Sequence, residues 1–130
     1  LAADTISVIN YTGAAAATCT LPAATAGTVV VYAQAVDTTG GTATLVFDAA
    51  GSDVWATGSV IESRGSSEVT FDTSAAGETK LTFTPANATT NLLTTGGQIA
   101  FICYEDATWH IATKLAAETT QVTGAFVFAA

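Results

Sequence analysis

The sequence predicts an all-β sandwich or barrel, and three observations carry that prediction. Apolar residues recur with a period of two, turn residues interrupt the chain about every 8 to 12 positions, and no segment sustains a helical period. About ten strands and no substantial helix are expected within one domain covering residues 1–130.

Taken in order, the first punctuation is Thr12-Gly13. The alanines from Ala14 to Ala17 invite a helix, but Gly13 precedes them and Thr18-Cys19-Thr20 follows, so the segment is too short and too rich in threonine to hold one in water. Leu21-Pro22 ends a strand, because the residue before proline is driven to an extended conformation and proline removes a backbone donor. Gly27 then lets the chain turn back into GTVVVYAQAV, which is apolar on both faces. Such a strand is central in a two-layer structure, or has its second face against another subunit.

Turns follow at Asp37 to Gly41, Asp48 to Asp53, Arg64-Gly65, Ala75 to Gly77, Pro85 to Asn91, Gly96-Gly97 and Glu105 to Ala107. Between them, SSEVTFD sets Val69 and Phe71 against Glu68, Thr70 and Asp72, and ETKLTFT sets Leu81 and Phe83 against Lys80, Thr82 and Thr84. Both read as half-solvated strands. QIAFICY is again apolar on both faces, and TWHIATKL places Trp109, Ile111 and Leu115 inward with His110, Ala112 and Lys114 outward. In the C-terminal segment 121–130, Val122, Phe126 and Phe128 alternate with Thr123, Val127 and Ala129. An apolar terminal strand left open invites aggregation, so it is either the last strand of its own sheet or an arm laid on a neighbouring subunit.

Composition narrows the function. Hydrophobic residues make up 49% and charged residues 11%, less than half of the roughly 25% charge of an average soluble protein. Three basic residues (Arg64, Lys80, Lys114) stand against 11 acids, a net charge of −8. Phosphate-backbone binding needs clustered cations, so no nucleic-acid partner is expected. No run of 18 apolar residues calls for a membrane helix, and no membrane partner is expected. The sequence opens on no basic-then-apolar leader, and a start at Leu1 is expected to follow a cleavage, a removed leader or an upstream segment.

Chemistry is sparse. His110 is the sole histidine, no Gly-x-Ser-x-Gly elbow occurs, and Cys19 and Cys103 have no basic neighbour, so the parts of a nucleophilic site are missing and no enzyme is expected. Glu105-Asp106 reads as a solvated hairpin tip rather than the flanking carboxylate pair of a glycosidase. The DAAGSD segment at 48–53 falls short of a calcium loop. One histidine and two lone cysteines make no zinc set, so no metal and no cofactor are expected. The two cysteines read as free thiols, with a disulfide kept as the mark of a secreted protein. Trp55 and Trp109 are the side chains on which a carbohydrate platform would depend.

A strand ending in Leu21-Pro22, a small-residue loop to Gly27, an apolar strand over Ile99 to Tyr104, an acidic turn at Glu105-Asp106 and then Trp109-His110-Ile111 resemble the β-sandwich modules of tailed-phage virion proteins. These are capsid decoration (cement) proteins, head fibres and tail-fibre domains, and the resemblance spans roughly residues 18–115. It implies a jelly-roll-like antiparallel β-sandwich, usually a homotrimer, on the capsid surface of a bacteriophage. Its partners would be its own copies and the major capsid protein, and it carries no catalytic residues. The segment QVTGAFVFAA lies beyond the matched region. Alternatives are a subunit of an extracellular filament or surface layer, and a carbohydrate-binding module. The residues expected at a subunit interface are Val29 and Val31, on the second face of the 28–36 strand, and Phe126, Val127 and Phe128.

Overall fold

The computed structural model describes residues 1–38, 42–64, 69–85, 93, 95–113 and 126–130. Eleven strands and no helix lie among them. The strands are β1 (Thr5–Ile9), β2 (Ala17–Thr20), β3 (Val29–Gln34), β4 (Leu45–Asp48), β5 (Val54–Trp55), β6 (Val60–Arg64), β7 (Val69–Thr73), β8 (Lys80–Phe83), β9 (Gln98–Glu105), β10 (Thr108–Thr113) and β11 (Phe126–Ala129). One sheet has the order β1-β3-β9-β10-β5, a second the order β11-β8-β4-β2, and β6-β7 form a separate hairpin.

The all-β expectation holds, but the ladders are not uniformly antiparallel. β1–β3, β2–β4 and β5–β10 pair in parallel. The reason lies in the chain path. Its first five strands fall alternately in the five-stranded and the four-stranded sheet, so β3 returns beside β1, and β4 beside β2, running the same way. Residue periodicity reports which face a side chain takes and carries no information about strand direction.

Cross-strand rows build the four-stranded sheet. Ala17, Leu45, Phe83 and Phe126 stand in register, as do Cys19, Phe47, Leu81 and Phe128. All but the half-buried Ala17 are buried. The opposing sheet contributes Val30, Tyr32, Ile99, Phe101 and Trp109, all at 0% exposure. Aromatic rings join the layers: Phe47 lies 5.0 Å from Tyr32 and 5.2 Å from Phe101, and Trp55 lies 5.5 Å from Phe101 and 5.8 Å from Phe128. Edge-on and tilted pairs at these separations contribute beyond their area of burial. Gln34, buried beneath this layer, is satisfied by the Tyr32 hydroxyl, which donates to Oε1, and by its own Nε2 donating to the Tyr11 carbonyl at 2.6 Å.

Two segments quoted for the family resemblance meet in space. The 21–27 loop is fixed by the Asp53 carboxylate, which accepts the Ala24 N–H at 2.6 Å, and by Asp106, which accepts the Ala26 N–H at 2.9 Å. Gly27 takes φ +92°, where a side chain would be strained, and donates its N–H to the Cys103 carbonyl at 2.8 Å. Ala107 donates to the Ala24 carbonyl at 2.9 Å. Asp53 is therefore an anchor for the loop. Asp53→Ala is expected to lower unfolding free energy by about 1.5–3 kcal/mol, the usual loss for a hydrogen bond to a charged group. Asp53→Asn, which keeps an acceptor, should lose less, and urea titration of both variants checks the order.

The C-terminal strand β11 pairs with β8 at the edge of its own sheet. Its outer edge is not open: Asp72 accepts the Phe128 N–H at 2.6 Å. An inward charge of this kind discourages further strand pairing. Val122, Thr123, Lys114, Leu115 and Glu68, and the side chains of Val69, Thr70 and Phe71, lie outside the described residues.

Candidate functional site

The two outer faces of the sandwich differ in chemistry. On the four-stranded sheet the outward rows are Thr18, Val46, Thr82 and Val127, then Thr20, Asp48, Lys80 and Ala129. Hydroxyls and an acid-base neighbour pair suit such a face to water. On the five-stranded sheet the apolar outward residues are Ile6 and Val8 of β1, Val29, Val31 and Ala33 of β3, and Ala100 and Ile102 of β9, flanked by Gln98, Tyr104 and His110. None of these is an acid, a lysine or an arginine.

β1 is the most informative of these strands. Ile6 pairs with Val31 and Val8 with Ala33, while Thr5 and Ser7 pair with the buried Val30 and Tyr32. The strand thus turns Thr5 and Ser7 toward the core side and Ile6 and Val8 outward, while Ile9 at its end packs against the core. Ile6 is 63% exposed and Val8 67%. β1 is also the end strand of its sheet, and its five residues carry no charge. With strands ~4.8 Å apart and ~3.3 Å per residue, three strands of about five residues give a footprint of roughly 240 Å².

The five residues expected at an interface fall in two places. Val29 and Val31 are half-buried members of the apolar outer face, with Ile102 and Ala100 as cross-strand neighbours. Phe126 and Phe128 point into the protein's own core, at 4% and 5% exposure. Val127 alone of the C-terminal three faces outward, beside Thr82 on the hydroxyl-rich face. Ile6 and Val8 were not foreseen, because alternation in TISVI is equally compatible with either face being buried, and only the register with β3 decides.

Elsewhere the geometry removes chemical options. Trp55 and Trp109 are both at 0% exposure, so the tryptophan platform of a carbohydrate-binding module is not formed. Cys19 and Cys103 are buried and unbonded, and burial pushes both thiols above the ordinary range, which disfavours the reactive thiolate. His110 stacks edge-on against Tyr104 at 4.9 Å, and Asp106 is committed to the Ala26 N–H. Among the described residues no cluster of three or more histidine, cysteine or acidic side chains is arranged to hold a metal. No protein-family model, curated protein or solved structure matches the chain.

Proposed function

We propose that the protein is a structural subunit that acts by assembly, through the apolar outer face of its five-stranded sheet, and turns over no substrate. The observation that carries this reading is the outward pair on strand β1, Ile6 and Val8, which stay in solvent unless another surface covers them. The occupant is a second copy of the chain. A net charge of −8 makes copies repel at long range, yet the apolar residues of this face carry no charge and Asp4, at its margin, is held to the Val29 N–H, so two such faces meet at their centre without burying an unpaired charge. A standard interface takes about 800 Å² from each partner, so the sheet supplies its apolar centre and the surrounding loops its rim. Three copies around a threefold axis would each turn one face inward as an apolar prism, which suits a homotrimer.

The setting implied by the resemblance is the capsid surface of a bacteriophage, where such a trimer would serve as a decoration (cement) subunit against the major capsid protein. The polar face of the four-stranded sheet would then be left to water or to the shell. Electron microscopy of the native particle tests this setting. A trimer repeated on a capsid lattice supports it, and a continuous filament or a cell-surface layer would replace it with the extracellular alternative.

A further inference from the structure

We propose a second site, for a neutral sugar unit, in the recess at the β5 edge of the five-stranded sheet. It lies at the opposite end of that sheet from β1 and borders the assembly face where His110 pairs with Ile102. The recess is a solvent-open hollow of about 380 Å³ whose lining includes Val54, Thr57, Gly77, Glu105, Thr108 and His110. That volume falls at the small end of the ~300–1,000 Å³ range of ligand sites.

The lining selects the ligand class. No hydrogen bond to a described residue occupies the Thr57 or Thr108 hydroxyl, the Glu105 carboxylate or the His110 ring. Four polar side chains from the β5 and β9–β10 segments thus line one hollow with no hydrogen bond to another described residue. A carboxylate accepts two hydroxyl protons, and threonine and imidazole can each donate or accept, which is the pattern vicinal diols require. An anion is disfavoured by Glu105 and by the net charge of −8. A cation lacks a ligand set. Val54 and Gly77 leave an apolar strip for the C–H face of a pyranose, and Tyr104, 67% exposed, stands against His110 with its ring available at the margin. Sugar recognition therefore moves from the buried tryptophans to Tyr104 and the hairpin beside it.

The test is titration of isotopically labelled protein with glucose, galactose, N-acetylglucosamine and maltotriose, read by amide chemical shifts. At least one is expected to give a saturable, millimolar response confined to residues 54–57, 77 and 104–110. Glu105→Gln and Thr108→Val should each weaken it about fivefold or more, while their unbound spectra elsewhere stay unchanged, which shows that the fold is intact. No response to any of the four overturns the proposal. So does a response centred elsewhere, or one that both variants leave intact. Val31→Asp, whose substitution on β3 lies outside the recess lining, is titrated as well and gives the same response, so failure of the assembly reading leaves this result standing.

Discussion

Phe101→Ala is expected to lower unfolding free energy by about 3–5 kcal/mol, the loss typical of truncating a buried aromatic. Phe101 is fully buried in β9, with Phe47 of the opposing sheet 5.2 Å away and Trp55 at 5.5 Å. Its ring therefore touches both layers, and neither strand can close inward over the void without pulling its own ladder out of register. The loss is a large part of the ~5–15 kcal/mol that stabilises a typical domain. Phe101→Leu, which retains most of the volume, should lose less. Chemical denaturation with a common slope for all variants measures the difference, and a loss below about 1 kcal/mol for the alanine variant would contradict the two-layer core.

The second large effect concerns assembly. Val31→Asp puts a carboxylate at the centre of the apolar outer face, between Ile6 of β1 and Ala100 of β9. In the isolated subunit the side chain reaches water, so folding should change by no more than about 1 kcal/mol, the span of strand preferences. In the assembled state the same charge is buried without a partner, a cost of several kcal/mol, and self-association should weaken by a hundredfold or more. Val127→Asp is the informative comparison. It sits among threonines on the opposite outer face, and its association should match that of the unchanged protein. If Val127→Asp dissociates the copies and Val31→Asp does not, the contact belongs to the C-terminal strand.

Much of the fold was legible residue by residue. Leu81 and Phe83 alternate with Lys80 and Thr82, and the structure buries the first pair. Two-sided apolar strands at 28–36 and 98–104 were expected to be central or to set their second face against another subunit, and β3 and β9 lie inside the five-stranded sheet. The plain run after Gly27 owes its second apolar face to this position, with Val29 and Val31 facing outward. Strand direction was not legible. It depends on which layer the chain visits between β1 and β3, a long-range fact that local alternation does not encode.

The interface was legible in part, and for a physical reason. Alternation identifies an apolar side of a strand but not whether that side faces in. At β11, Phe126 and Phe128 match the core rows Ala17–Leu45–Phe83 and Cys19–Phe47–Leu81. At β1, pairing with β3 sends Ile6 and Val8 the other way. Phe126 and Phe128, expected at a subunit interface, are core, and Ile6 and Val8, for which no such place was expected, are surface. Asp72 on the β11 edge and the uncharged β1 edge repeat the contrast in backbone terms: one edge is guarded and the other is not.

Sedimentation velocity of the purified full chain over a wide concentration range tests the assembly reading most directly. A discrete oligomer, a trimer for the proposed threefold arrangement, is predicted, together with monomers for Val31→Asp under the same conditions. A chain that stays monomeric at every concentration, with Ile6 and Val8 left in water, would contradict it.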